Sequence, residues 1–131
     1  MKSNRELFNC EFDILLRKAE EKIPETNLPD LPYMKYDPDV HDWYIFELEI
    51  WDIGEEIRQL TINYKSKFTK EQIERIISIC LDKKAKRGRQ SFVMLLNKKA
   101  YFEYSSRLIS LLADDDVDGH VIYTLYMMQA G

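Results

Sequence analysis

Residues 107–128 read RLISLLADDDVDGHVIYTLYMM. The stretch is apolar, then acidic, then glycine, then apolar again. Its middle allows three readings: a metal loop, an active site, or the turn between two helices. A second stretch decides between them. RIISICLD at 75–82 lies over RLISLLAD at 107–114, an offset of 32. Further on, GRQSFVMLL at 88–96 lies over GHVIYTLYM at 119–127, an offset of 31, and one deletion in the turn reconciles the two. Both copies carry an Arg, an apolar pair, a Ser, an Asp after the helix and a Gly opening the next. Self-similarity at such a period marks stacked helical hairpins, neither of which buries its apolar face alone. The first copy has Lys83, Lys84, Lys86 and Arg87 where the second has Asp115, Asp116 and Asp118. A metal or catalytic loop would not survive that charge reversal. A solvated inter-helix turn does.

Outward from the repeat, periodicity predicts further helices. Ser3-Asn4-Arg5-Glu6 reads as a capping box, and Phe8, Phe12, Leu15, Leu16, Ala19 and Ile23 recur behind it at helical spacing, so a helix is expected over about 4–22. IPETNLPDLPYMKYDP follows and holds all four prolines of the chain; they remove backbone donors and disfavour helix, so 23–38 reads as an extended connection. Asp37-Pro38 supplies an N-cap and a first helical proline. Tyr44, Phe46, Leu48 and Ile50 alternate as a strand would. The longer 3-4 pattern of Trp43, Phe46, Ile50, Ile53, Ile57, Leu60 and Tyr64 favours a helix over 38–64, irregular at Gly54. Thr69 with Gln72 forms a second capping box. Beyond it come a helix faced by Ile73, Ile76, Ile77 and Cys80, a turn at DKKAKRGR, and a helix marked by Phe92, Val93, Leu95 and Leu96. After NKKA, a helix is expected around Tyr104, Leu108 and Leu111, and a last one with Val121, Ile122, Leu125 and Met128 inward.

LISLLADDDVDGHVIYTL resembles the second half of a HEAT-type repeat of the short kind common in bacterial proteins. Such repeats end their first helix on an apolar pair and an Asp, and place a basic residue in the first turn of the second helix. Arg89 and His120 hold that position, while Gly88 and Gly119 replace the usual apolar residue before it. The resemblance covers about 69–130 and implies an all-α fold. That fold is a short stack of HEAT-like antiparallel hairpins (an α-solenoid fragment) at about 69–97 and 101–130, behind an N-terminal capping helix. With 131 residues, one domain over 1–131 is expected. Repeat scaffolds of this kind mostly bind other macromolecules.

The candidate chemistry is sparse. Asp114, Asp115, Asp116 and Asp118 suggest Ca²⁺, and Gly119 is sixth from Asp114 as an EF-hand requires, but the twelfth position is Leu125 rather than Glu. His41 and His120 are the only histidines and Cys10 and Cys80 the only cysteines, too scattered for a zinc site. Neither a nucleophile elbow nor a glycine-rich phosphate loop is present. No catalytic residue, cofactor or metal is therefore expected. The two isolated cysteines are no disulfide framework, no apolar run reaches membrane-spanning length, and no leader is evident, so the expected compartment is the cytoplasm.

Two charged stretches remain. Residues 83–99 hold Lys83, Lys84, Lys86, Arg87, Arg89, Lys98 and Lys99 and no acid; they read as a solvated turn or, alternatively, as a nucleic-acid surface like that of HEAT-like DNA-repair glycosylases. A net charge of −4 argues against nucleic acid as the partner. Residues 37–56 hold eight acids and no base, interleaved with Trp43, Tyr44, Phe46 and Trp51. The candidate partner-binding residues are Asp42, Tyr44, Glu47, Leu48, Glu49, Trp51, Asp52, Glu55 and Glu56: aromatic anchors rimmed by carboxylates, unless helix 1 or the proline-rich connection covers them. The expected function is non-enzymatic protein binding. Its specific form is an immunity protein that neutralises a bacterial toxin, such as a basic nuclease; a scaffold or adaptor subunit is the other protein-binding reading.

Overall fold

The structure is a computed structural model and describes residues 1–129. These residues are mostly helical, with one short antiparallel strand pair. α1 spans Asn4–Lys22, β1 Tyr33–Met34, β2 Asp37–His41, α2 Ile45–Tyr64, α3 Lys70–Leu81, α4 Gln90–Met94 and α5 Asp118–Gln129. Three 3₁₀ segments, Lys83–Arg89, Lys99–Arg107 and Ile109–Ala113, complete the elements of the described residues.

Local chemistry sets the boundaries. Ser3 accepts from the Glu6 N–H to open α1, and Thr69 and Gln72 satisfy each other's backbone donors to open α3. Residues 38–44, expected in the second helix, instead continue the proline-rich connection into β2. Asp37 does use its carboxylate, accepting the Asp39 N–H at 3.1 Å, but an extended chain follows. The helix begins only where the Glu47 carboxylate accepts the Tyr44 N–H at 2.9 Å. β2 folds back on β1, pairing His41 with Tyr33 and Asp37 with Met34. Residues 23–44 thus form a strap with a hairpin in it.

α1 packs on α2, and α2 packs on the 83–94 unit. α3 packs on the same unit, which in turn packs on α5, and α5 packs on the 3₁₀ segments of 99–113. Phe8, Phe12, Phe68 and Tyr101 run through the core as neighbouring rings with centroids 5.6–6.2 Å apart. α2 runs unbroken through Gly54. A Cβ there would lie 2.0 Å from Ser91 Oγ, and one on Gly88 would lie 2.9 Å from the Glu47 carbonyl oxygen. These two glycines let the 83–94 unit seat directly against α2.

The turns after Leu81 and Ala113 are built alike. Asp82 and Asp114 have nearly the same backbone angles, and each accepts the N–H two residues on, that of Lys84 and of Asp116. Behind them, Ala85 and Val117, Arg89 and Val121, Phe92 and Thr124, and Leu96 and Met128 are all buried. The two glycines aligned at an offset of 31 sit in different surroundings: Gly88 is wedged against α2, while nothing lies within 4 Å of a Cβ on Gly119. One period earlier on α2, Ile53 and Ile57 are buried and Leu60 and Tyr64 pack against the core.

The expected α-helix around 104–113 is 3₁₀. Its buried residues fit that form. Tyr101 and Tyr104 are three apart, and so are Leu108 and Leu111. Side chains three apart eclipse on a 3₁₀ helix, which makes each pair one straight stripe. The single step of four, Tyr104 to Leu108, falls at the junction between the two segments.

Candidate functional site

The nine candidate residues separate into three environments. Asp42, Tyr44 and Glu47 belong to the junction of the strap with α2. Glu47 is only 1% exposed. Its carboxylate accepts the Tyr44 N–H, the Arg87 N–H at 3.0 Å and Arg87 Nε at 3.3 Å. Arg87 also donates to the carbonyls of His41 and Asp42 and lies over the Trp43 ring, 4.4 Å from its centroid. Tyr44 donates its hydroxyl to the Pro29 carbonyl at 2.6 Å and stacks on Phe46. This group clamps the strap to the body. As a rim carboxylate facing a partner, Glu47 is corrected: it is interior. The sequence carried no signal of this, since Glu47 stands in the first turn only once α2 is known to begin at Ile45, where N-terminal amides need an acceptor.

Leu48 is exposed on the outer side of α2, and Glu55 pairs with Arg58 one turn on. Trp51 is half-buried.

Glu49, Asp52 and Glu56 come together with α1. They line a groove of ≈ 650 Å³ with Lys18, Glu21 and Lys22 on its walls and Leu15 and Ile53 at its base. Lys22 pairs with Glu49 across it. The groove continues along the same two helices through Glu11, Ile14, Gln59, Leu60 and Asn63. Ile14 is exposed there. The continuous face carries Glu11, Glu21, Glu49, Asp52 and Glu56 against Lys18 and Lys22, an excess of negative charge over a partly apolar floor. The α1 residues were missed in the sequence because they flank the core stripe of a different helix. Their only signal is that Glu11, Leu15, Lys18 and Lys22 share the 3-4 spacing of one helix edge.

Three of the seven residues of the basic stretch, Lys86, Arg87 and Arg89, are turned inward. Lys86 is buried and pairs with Asp30 of the strap at 3.1 Å; its φ of 51° places a non-glycine residue in the left-handed half of conformational space. Arg89 is fully buried. It donates to the Lys86 and Cys80 carbonyls and meets Asp114 at 2.9 Å and Asp116 at 3.4 Å. The Asp114 oxygen at 2.9 Å is reached without hydrogen-bond angles, so this contact is ionic rather than directional. Lys83, Lys98 and Lys99 remain exposed. The acidic turn is therefore built around the buried Arg89, which makes part of it structural rather than simply solvated.

Burial of the Cys80 thiol pushes it up to about 12, which removes it as a thiolate nucleophile near neutral pH. Among the described residues no helix is long and apolar enough to cross a membrane. Comparison with protein-family models, with curated proteins and with solved structures returns no match for this chain.

Proposed function

We propose that the chain is a non-enzymatic protein-binding module of the HEAT-like stacked-hairpin type, that its α1–α2 groove takes a basic segment of a partner protein, and that the partner is a bacterial toxin which it neutralises as an immunity protein. The observation that carries the binding surface is the groove itself: Glu21, Glu49, Asp52 and Glu56 stand over Leu15 and Ile53 with two lysines between them. An apolar floor supplies affinity by burial, and carboxylates at the rim speed encounter with a cationic partner and exclude anionic ones. The HEAT-like reading draws on the register of 32 and on three helical pairs in series, α1 with α2, α3 with 83–94, and 99–113 with α5. The toxin-neutralising reading draws on small size and an acidic face suited to a basic nuclease. The engagement of Lys86, Arg87 and Arg89 inside the molecule leaves less positive charge for the nucleic-acid alternative.

The test is co-expression with the polypeptide encoded immediately upstream in the native genome. Rescue of growth together with a purified complex is the expected result. Glu49→Lys with Asp52→Lys should slow association about tenfold at low salt and less at high salt, as rim charges do. No rescue, or a charge reversal that leaves association unchanged at low salt, overturns the reading. Tight duplex DNA binding that is lost on Lys83→Glu with Lys98→Glu would replace it with the nucleic-acid one.

A further inference from the structure

Many cations of this chain face a carboxylate: Lys22 meets Glu49, Arg75 meets Asp13 and Glu20, Lys86 meets Asp30, and Arg107 meets Glu74. One concave place departs from this. A pocket of ≈ 500 Å³ opens where the end of α2, the turn at 65–68 and the connection at 94–101 meet. Arg58, Lys65, Lys67 and Lys98 line it, and none of the described residues that line it is acidic. Arg58 pairs with Glu55 at 3.1 Å. Among the described residues, Lys65, Lys67 and Lys98 form no ion pair. Unbalanced positive charge thus gathers at one pocket of a chain whose net charge is −4. A cation at the end of α2 answers the helix dipole, which accounts for Lys65. It does not account for Lys67 and Lys98, which lie beyond that helix.

The backbone groups that would repel an anion there are already bonded. The Thr61 and Ile62 carbonyls accept from Ser66 and Lys65 at 3.2 and 3.4 Å, and the Lys67 carbonyl accepts from Arg5. A buried donor is free. Tyr101, 4% exposed, accepts the Phe68 N–H at 3.1 Å on its hydroxyl, which keeps its own proton without an acceptor among the described residues. The pocket also has an apolar side, where Ile62 is 53% exposed and Met94 and Leu95 join the lining. We infer that this pocket binds a nucleotide, a nucleoside di- or triphosphate whose phosphates meet the lysines and whose base lies on the apolar side. Lysines hold phosphate as point charges, and three of them with an arginine call for a polyanion. The volume is that of a small-molecule site, and its apolar side suits a base better than bare phosphate. The cations ring one pocket instead of following a track, which suits a small ligand better than a nucleic-acid strand. The site is separate from the α1–α2 groove. Arg58, Thr61, Ile62 and Lys65 follow one edge of α2 at 3-4 spacing, and Glu49, Asp52 and Glu56 stand on the opposite edge.

The full chain is titrated calorimetrically with ATP, pyrophosphate and adenosine in a buffer free of divalent cations. Saturable one-to-one binding of ATP, tighter than that of either fragment, is expected. Lys67→Glu with Lys98→Glu should weaken ATP binding about tenfold, since both charges reverse at the phosphates. The helical circular dichroism should not change, because both side chains are exposed. Lys35→Glu with Lys83→Glu makes the same change in net charge outside the pocket and should leave ATP binding nearly unchanged. No binding of ATP up to about 1 mM overturns the inference. So does ATP binding no tighter than that of pyrophosphate, or a loss just as large with Lys35→Glu and Lys83→Glu. Duplex DNA binding tighter than that of ATP, and lost with Lys67→Glu and Lys98→Glu, overturns it in favour of a nucleic-acid surface. Co-expression with the toxin partner tests the groove independently, so the pocket and the groove stand or fall separately.

Discussion

Arg89 is the largest of the fully buried side chains, and its charge is met by two carboxylates with opposite tendencies. Burial pushes Asp114 up, but the Arg89 guanidinium 2.9 Å away outweighs it and holds the carboxyl below the usual carboxylate range. Asp116 goes the other way: burial raises it, and the neighbouring charges of Asp114 and Asp30 add to that against Arg89. A depressed folded value means that ionised Asp114 stabilises the fold above the ordinary carboxylate range, and that this is lost as pH falls through the depressed value. A raised folded value means that ionised Asp116 destabilises the fold at neutral pH, and that acidification relieves it. Asp114→Asn should therefore lower stability at neutral pH by about 2 kcal/mol, since Arg89 keeps Asp116 and two carbonyls. Asp116→Asn should leave stability level or raise it. Urea unfolding at neutral pH and at about pH 3 checks this, because the Asp114 loss must shrink in acid. A larger loss for Asp116→Asn would reverse the roles. That 114–118 is a turn is legible in the sequence from the charge reversal against 83–87. That the turn closes on Arg89 is not, because the two are brought together only when the hairpins stack.

At the scale of elements, α2 and the 83–94 unit are joined through their glycines. Gly54 faces Ser91, whose buried hydroxyl has no hydrogen-bond partner, and Gly88 faces the backbone of α2 at Glu47. Alanine at 54 would favour the helix by about 1 kcal/mol on propensity alone. It would also place a Cβ 2.0 Å from Ser91 Oγ and 2.7 Å from Ser91 Cβ, so the unit must shift. Overpacking of this kind costs about 1–3 kcal/mol, so Gly54→Ala should destabilise by about 1 kcal/mol net. Adding Ser91→Gly should restore part of the loss in thermal unfolding, a coupling expected of residues in contact. If the two changes are simply additive, the close approach is not the cause. The sequence marks Gly54 as a helix irregularity; only the facing element reveals it as a contact. Other boundaries were more legible. The Thr69–Gln72 box and the Ser3 cap are local devices, readable from four residues. The start of α2 was not, because Asp37-Pro38 offers equally good capping chemistry and loses to the strap's pairing of β2 with β1. Nor was the 3₁₀ character of 99–113. Tyr101, Tyr104, Leu108 and Leu111 fit a 3-4 helical stripe as well as two eclipsed 3₁₀ pairs.

For the whole molecule, the similarity at an offset of 32 is legible in the sequence where 75–82 and 107–114 match, and it is not legible before residue 69 for a physical reason. The strap at 23–44 separates α1 from α2, so the first helical pair has no fixed spacing to compare with the others. The acidic groove was half legible for the same reason: the α2 carboxylates form one run in sequence, but α1 meets them only after the strap has folded back. Residues 99–113 pack mainly on α5, whereas α2 packs on both α1 and the 83–94 unit, and a segment with fewer packed neighbours opens more easily. Residues 99–113 are also 3₁₀, whose hydrogen bonds are poorer than those of an α-helix. The N-terminal elements are braced. The strap is clamped by Arg87 and Lys86, and α1 is tied to α3 by Arg75, which meets Asp13 at 2.7 Å and Glu20 at 3.2 Å. In native-state hydrogen exchange, the amides of 99–113 should therefore exchange well before those of α2 and α3. Protection of 99–113 equal to that of α2 would show that the molecule opens as one cooperative unit.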